Sequence, residues 1–247
     1  MNVLNPSLSV DCIIFGLDTH EQALKILVYE RDIFPDKNSG NKNLKFPGSL
    51  VKENENLEES AYRILKEHTG LQNIFLKQFH AFGDPNRIKY DEEKEWAEKH
   101  YEIKINRVVT VAFYALIRID KQNPDQAKIK DKLKWINIDE AHNLAFDHSH
   151  ILTVARETLV QDLKFQNVRA FELLPERFTL YQLQSMYETI LGQNLDKRNF
   201  RKKIGKAAYI IPLGEKQKGV AHKPAMLYGF DNIQFERSRK EITTFFI

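Results

Sequence analysis

The sequence is poor in cysteine and in long apolar runs, and each scarcity excludes a class of protein. Cys12 is the single cysteine, so no disulfide can form within the chain, as suits a reducing compartment. No apolar run approaches the roughly 20 residues that a membrane helix needs. The first apolar stretch has no basic residues ahead of it, so we expect a strand there rather than a signal peptide. These features predict a cytoplasmic protein without a membrane partner.

Charge is distributed unevenly along the chain, although the net charge is only +3. Residues 1–164 carry 23 Lys and Arg against 26 Asp and Glu, whereas residues 165–247 carry 14 against 8. An acidic front and a basic back indicate two modules with different partners. We therefore predict one domain over residues 1–164 and a second over residues 165–247.

The first 164 residues mix β-rich and helical patterns, which predicts an α/β fold with a mixed sheet rather than an all-parallel one. β-branched and aromatic residues are concentrated in five stretches, expected to be strands, at 9–16, 24–30, 74–82, 107–117 and 132–138. Helices are expected at 56–71, 90–102 and 148–163. Asn56 and Glu59 predict a capping box for the first helix, and Gly70 predicts its end.

The last 80 or so residues follow the element order of a winged helix-turn-helix, a helix, a short turn, a basic helix and a β-hairpin. Thr179 and Gln182 predict a capping box for the first helix, and Gly192 its end. Asp196 is the expected cap of the basic helix. Strands are expected at 208–213 and 224–230, around a basic turn at 214–219.

The basic helix is the predicted recognition helix for DNA. Arginine can bind guanine with two hydrogen bonds, asparagine can bind adenine, and lysine contributes phosphate contacts. A solvated charged helix would explain an isolated lysine run, but the surrounding helix-turn-helix and wing favour DNA. The residues predicted to contact DNA are Lys197, Arg198, Asn199, Arg201, Lys202, Lys203, Lys218 and Lys223.

Residues 49–71 resemble the Nudix box, G-x5-E-x7-R-E-U-x-E-E-x-G-U, where U is aliphatic. The positions that match, without a gap, are Glu55, Arg63, Leu65, Glu67, Gly70 and Leu71. Ser49 stands at the first glycine, with Gly48 just before it. Ile64 and His68 replace two acids of the R-E-U-x-E-E segment.

Both replacements fall on the metal-binding face of the helix. Positions 64, 67 and 68 share one helix face, where three carboxylates would hold the Mg²⁺ that activates water in the family. Only Glu67 remains there, so we expect no catalytic residue, no metal and no cofactor. Ile64 is expected to join the apolar stripe, and Arg63 to pair with Glu55 and Glu67. The alternative is an active Nudix hydrolase in which nearby acids substitute, namely Glu53, Glu55, Glu58 and Glu59.

The resemblance extends over nearly the whole chain to the Nudix-related transcriptional regulators. It is carried by "FHAFGDPNR", "RVVTVAFYALI", "NLAFDHSHIL", "FELLPERFTLYQLQSMYETILGQNLDKRNFRKKI" and "KPAMLYGFD". It implies a Nudix-like α/β/α sandwich joined to a C-terminal winged helix-turn-helix. It also implies a homodimer that binds double-stranded DNA at a palindromic operator, often as a repressor.

In that family the effector is ADP-ribose or a related nucleotide, or in some branches a pentose such as arabinose. The segment "IKYDEEKEWAEKHYEIKI" after Arg87 is an insertion relative to the nucleotide-sensing branch, which makes a sugar at least as plausible here. In the expected mechanism, the effector shifts the helix at 148–164 and so changes the spacing of the two recognition helices. The third hypothesis is a protein-interaction adaptor, in which the winged domain binds a partner.

The predicted effector contacts flank the box. They are Arg31, Phe46, Glu67, Asp84 and Arg87, with Lys45 beside Phe46. Arg87 can pair with a phosphate and Asp84 with sugar hydroxyls. The alternative for "GDPN" is a tight turn with an exposed arginine. His148 is expected to be a structural hydrogen-bonding residue, because the histidines near it lack metal-ligand spacing.

Overall fold

A computed structural model describes residues 7–31, 33, 41–72, 74–119, 132–164, 170–221 and 223–240, without the side chains of residues 172 and 238–240. The chain divides into two compact units. The first contains Met1–Asp18 and Leu24–Arg156, and the second contains Thr19–Ala23 and Glu157–Ile247. The domain boundary after residue 164 stays a prediction, since it adjoins residues outside the described part.

The first unit is built on a mixed sheet, as the sequence predicted. Its strands are β1 (Ser7–Asp18), β2 (Ala23–Glu30), β3 (Leu44–Lys45), β4 (Gly48–Leu50), β5 (Lys77–Phe82), β6 (Val108–Arg118) and β7 (Leu133–Asn137). The strand order is β3-β2-β1-β6-β5, while β4 pairs with β1 and β7 pairs with β2. β1 and β6 are parallel, and the β4, β5 and β7 pairings are antiparallel.

The parallel pair β1 and β6 forms the centre of the sheet. Its register runs from Ser7 opposite Val108 to Leu17 opposite Arg118. β1 is buried without interruption from Ser9 to Asp18. Residues 12–17 within it are apolar without alternation, as is typical of a strand that is not exposed on either face.

Helix α1 (Leu57–Thr69) begins and ends where its capping residues predict. The Asn56 side chain accepts a hydrogen bond from the Glu59 amide at 2.9 Å, and the Glu59 carboxylate accepts one from the Asn56 amide at 2.8 Å. Gly70 ends the helix in the left-handed conformation that favours glycine. The helix buries Ile64 completely in the apolar cluster beneath it, as predicted.

Two further helices complete the described part of the first unit. The helix predicted at 90–102 is present as α2 (Asp91–Tyr101), which buries Glu93 and Ala97. Helix α3 (His148–Lys164) buries an apolar stripe made of Ile151, Leu152, Ala155, Leu159 and Leu163. The division between the units falls inside α3, after Arg156, so this one helix contributes residues to both.

The second unit contains α4 (Leu180–Leu191), α5 (Lys197–Ile204), β8 (Ile210–Lys216), β9 (Met226–Phe230) and α6 (Asn232–Lys240). The predicted capping box at Thr179 and the Asp196 cap of α5 are both present. β8 and β9 are antiparallel, and Phe178 forms an isolated bridge with Tyr228. β8 extends to Lys216, so the predicted turn at 214–219 was placed too early.

An aromatic cluster forms the core of the second unit. Phe171 stacks on Phe230 with ring centroids 4.3 Å apart, and both contact Tyr209 and Phe235. Phe235 lies on α6 and is 1% exposed. Within the described residues, no helix combines the length and the apolar character needed to cross a membrane.

Candidate functional sites

A pocket opens in the first unit between β1, the β3–β4 segment and helix α2. It encloses about 510 Å³, part of it open to solvent. Its polar lining residues are Ser9, Asp11, Lys45, Ser49, Arg87, Tyr101 and His148. Its apolar lining residues include Leu50, Ile88, Trp96, Ala97, Ile105, Val108 and Phe146. Charged groups beside an indole and aliphatic side chains suit a small ligand with polar and apolar parts.

Arg87 is held in the pocket by two carboxylates. Its Nε and Nη2 donate to the two carboxylate oxygens of Asp147 at 3.1 and 2.8 Å. Asp11 Oδ2 lies 3.8 Å from Nη2 and accepts a hydrogen bond from the Thr110 hydroxyl at 2.7 Å. Side-by-side contacts of this kind between arginine and carboxylate are strong and directional. The arginine is therefore buried rather than exposed.

Lys45 places a second buried cation in the pocket. Its ammonium donates to the carbonyl oxygens of Phe46 at 3.0 Å and Gly48 at 3.3 Å. Burial lowers the pKa of Lys45 to about 8, against the opposing effect of Asp11. The side chain is thus mostly charged at neutral pH and loses its charge in mildly alkaline solution.

His148 is a neutral structural residue, as expected. Its Nδ1 accepts a hydrogen bond from the Phe46 amide at 2.9 Å, and the two rings stack 5.0 Å apart. Burial holds the pKa of His148 well below its usual value, despite nearby Asp147. Because Nδ1 accepts this hydrogen bond, the proton of the neutral ring is on Nε2.

Arg31 lies behind the aromatic part of the pocket. Its guanidinium carbon is 5.0 Å from the centroid of Trp96 and 4.5 Å from that of Phe146. Its Nη2 donates to the Lys42 carbonyl and lies 3.5 Å from Glu93 of α2. Burial lowers the pKa of Arg31 to about 10. The Glu93 carboxylate also accepts a hydrogen bond from the Phe146 amide at 2.7 Å. Glu93 therefore links α2 to the segment that carries Phe146, and both line the pocket.

Gly48 allows β1 and β4 to approach closely beside the pocket. A Cβ atom at this position would collide with the Asp11 carboxylate and the Val10 carbonyl. Gly48 therefore leaves room for the Asp11 carboxylate, and any larger residue would force this carboxylate to move.

The structure brings only some of the predicted effector contacts to the pocket. Arg87 lines it, whereas Arg31 and Phe46 are buried next to it and are not part of its lining. Asp84 is exposed and accepts the Asn86 amide at 2.7 Å within its own turn. Glu67 is half exposed on α1 and also lies outside the lining.

Sequence reasoning missed Asp11, Trp96, Tyr101 and Asp147. Asp11, the acid in the middle of β1, was a usable signal, because buried carboxylates are rare unless paired. Trp96 and Tyr101 were hidden in a segment interpreted only as charged. Asp147 had no local signal, since its partner Arg87 is 60 residues away.

Arg63 on α1 pairs with Glu55, which precedes the helix, and with Glu67, as predicted. Arg63 Nε donates to Glu55 at 2.7 Å, and Nη1 donates to Glu67 at 3.1 Å. The hydrogen bonds from Arg63 lower the pKa of Glu55 to about 2. Among the described residues, no three His, Cys, Asp or Glu side chains are grouped so that they could hold a metal ion.

In the second unit, α5 exposes its basic side chains and buries its apolar ones. Phe200 and Ile204 are buried, and Asp196 caps the helix by accepting the Asn199 amide at 2.8 Å. The exposed residues of α5 are Lys197, Arg198, Asn199, Arg201, Lys202 and Lys203. Lys218 and Lys223 are exposed between β8 and β9. All eight predicted DNA contacts are therefore on the surface; their contact with DNA stays a prediction.

Comparisons with known proteins agree with this division. Residues 6–155 match the NUDIX domain family, and residues 170–230 match the NrtR DNA-binding winged helix domain. An ADPR responsive transcriptional repressor, NtrR of Acinetobacter baylyi, is 30% identical over 230 residues, covering 92% of this chain and 82% of the relative.

Two solved structures resemble this chain over most of its length. Shewanella oneidensis NrtR complexed with a 27mer DNA is 27% identical and superimposes with a TM-score of 0.67, covering 93% of this chain and 95% of that one. A MutT/nudix family protein from Enterococcus faecalis has a TM-score of 0.62 at 22% identity, over 94% of this chain and 88% of its own, a likeness of fold.

Proposed function

Because the chain belongs to the Nudix-related transcriptional regulators, in which a Nudix domain is joined to an NrtR-type DNA-binding winged helix domain, we propose that it is a cytoplasmic repressor controlled by an ADP-ribose-like nucleotide. The observation that carries the proposal is the pairing of a charged pocket in the Nudix unit with an exposed basic helix in the winged unit.

DNA binding rests on α5 and the loop between β8 and β9. The buried Phe200 and Ile204 fix the orientation of α5, so its exposed face is presented as a rigid surface. We propose that Arg198 and Arg201 contact bases or phosphates from this face and that Lys218 and Lys223 contact phosphates. The proposed operator is palindromic, because a homodimer places two such helices about one DNA turn apart.

The effector proposal rests on the pocket and on the ADPR-responsive relative. Lys45 and Arg87 offer positive charge for a diphosphate, and Trp96 and Phe146 offer apolar surface for a ring. The pentose alternative finds no support in these relatives. Binding is proposed to shift α3, whose residues belong to both units, and so to change operator affinity.

We propose that the Nudix unit does not hydrolyse its ligand. Ile64 has no exposed surface and no ligand atom, and Glu55 and Glu67 are both engaged by Arg63. The competing function is a Nudix hydrolase, which the domain match leaves as a specific alternative. The adaptor reading would be favoured if Arg198→Ala and Arg201→Ala left DNA affinity unchanged.

The deciding experiment is fluorescence anisotropy with DNA from upstream of the gene itself and of its neighbours, against random competitor, across a salt series. ADP-ribose, ADP, adenosine and arabinose would be added in turn. We expect specific binding that ADP-ribose changes. Arg198→Ala should weaken specific binding, while Lys66→Ala, an exposed lysine on α1, serves as the control.

Three results would contradict parts of the proposal. Equal, salt-sensitive binding to all DNA would leave only nonspecific attraction. A response to arabinose and not to ADP-ribose would replace the effector. Mg²⁺-dependent turnover of ADP-ribose that is lost in Glu67→Gln would restore the enzyme.

A further inference from the structure

The charges around the pocket balance before any ligand enters. Lys45 and Arg87 supply two positive charges, and Asp11 and Asp147 supply two negative ones. His148 is neutral because burial depresses its pKa. An anionic ligand added to this arrangement would bring negative charge without an excess of positive charge to match it, and burying uncompensated charge is costly.

The contact between Arg87 and Asp147 has the geometry that a phosphate would use. Two neighbouring guanidinium donors, Nε and Nη2, are both occupied by the two oxygens of one carboxylate. Phosphate and carboxylate compete for this same fork of donors. Asp11 lies farther off, at 3.8 Å from Nη2, and its Oδ2 is already bound by Thr110.

Building on the proposed nucleotide-binding function, we propose that Asp147 is an internal anion that occupies the phosphate position on Arg87, and that the effector's phosphate displaces it. Each phosphate of a diphosphate diester carries one negative charge, so the phosphate that takes the place of Asp147 replaces the charge beside Arg87 one for one and re-pairs its Nε and Nη2. The ligand class is thereby restricted to molecules with a phosphate or diphosphate group.

The displaced carboxylate has a second place to go. The Asp147 carbonyl accepts the amides of His150 at 2.9 Å and Ile151 at 3.0 Å, so the residue sits at the N-terminus of α3. A helix N-terminus carries partial positive charge, which favours a carboxylate nearby. The exchange therefore alters the first turn of the helix whose later residues, from Glu157, belong to the second unit.

The test is Asp147→Asn, which keeps the shape of the side chain and removes the competing charge. Calorimetric titration should show ADP-ribose binding tighter than to the parent, by on the order of 10-fold, and adenosine binding unchanged. The matched control is Asp139→Asn, which removes an exposed carboxylate paired with Arg156 in the same unit. It should change neither affinity.

Operator binding supplies an independent readout. Without effector, Asp147→Asn should shift operator affinity in the direction in which ADP-ribose shifts the parent, with a melting temperature that confirms folding. Asp147→Glu, which keeps the charge, should not reproduce the gain. If Asp147→Asn fails to fold, Asp147→Ser should show the same gain.

The outcomes separate the two proposals. If the parent binds ADP-ribose but Asp147→Asn and Asp147→Ser bind it equally or more weakly, the anion exchange is wrong and the effector site stands. An equal gain in ADP-ribose affinity in Asp139→Asn would also overturn the anion exchange, because the loss of any negative charge in the unit would then explain the effect. If neither the parent nor the variants bind ADP-ribose, the proposed function itself fails and the exchange fails with it.

Discussion

Replacing Ile64 by glutamate restores the acid that follows the arginine in the Nudix box, but it does so inside the core. Ile64 is 0% exposed and packs in the cluster that includes Val10, Cys12 and Leu65. Removing the packing of a buried isoleucine costs about 2–5 kcal/mol, and an unpaired carboxylate in the same space adds a desolvation cost. We expect Ile64→Glu to lose at least about 4 kcal/mol of folding free energy, a large part of the typical 5–15 kcal/mol.

For units of this size, such a loss lowers the melting temperature by roughly 8–16 °C. Far-UV circular dichroism during heating would measure it, alongside a Mg²⁺-dependent ADP-ribose hydrolysis assay that should stay negative. Tyr62→Glu introduces the same charge on the same helix, at a position 45% exposed, and should melt within a few degrees of the parent. An Ile64→Glu protein that melts like the parent and gains hydrolysis would refute the assignment of Ile64 to the core and revive a latent enzyme.

Three other results are expected. Arg63→Met should lower the melting temperature at pH 7. The pKa of Glu55 is about 2 in the folded protein and near 4.3 in the unfolded chain, so its pairing with Arg63 stabilises the fold at pH values above about 4.3. That difference in melting temperature should shrink as the pH falls from 5 toward 2; a difference independent of pH would assign the effect to packing alone. ADP-ribose affinity should fall as the pH rises past about 8, where Lys45 loses its charge, and Lys45→Arg should remove this fall in calorimetric titrations. Asp196→Ala should destabilise α5 by about 1 kcal/mol in chemical denaturation, because the Asn199 amide loses its acceptor; no change would show that this cap is dispensable.

Local chemistry made much of the fold predictable. The two capping boxes at Asn56 and Thr179 fixed helix starts to the residue, because side chain and amide are only three positions apart. The β-branched and apolar composition of residues 9–16 predicted the strand that the structure shows as part of β1. The prediction for the wing was less accurate, because β8 continues through Lys216, whereas the glycine at 214 had suggested a turn there.

The pocket was harder to predict, because its contacts join distant parts of the chain. Arg87 was identified, but its partner Asp147 belongs to the start of another helix and carries no pattern of its own. Phe46 was predicted to contact the effector. Instead, its ring stacks on His148 and its amide donates a hydrogen bond to His148 Nδ1. A charged segment with one tryptophan gave no indication that α2 would close one side of the pocket.

The core of the second unit extends beyond the residues that match the winged helix family, as Phe235 shows. The winged helix match stops at residue 230, yet Phe235 contacts Phe171, Tyr209 and Phe230 and is almost wholly enclosed. A DNA-binding fragment cut at residue 230 would expose three aromatic rings and lose on the order of 3–5 kcal/mol. A fragment that ends at residue 240 would keep Phe235 in that core. DNA-binding fragments and domain swaps between relatives should therefore extend to residue 240.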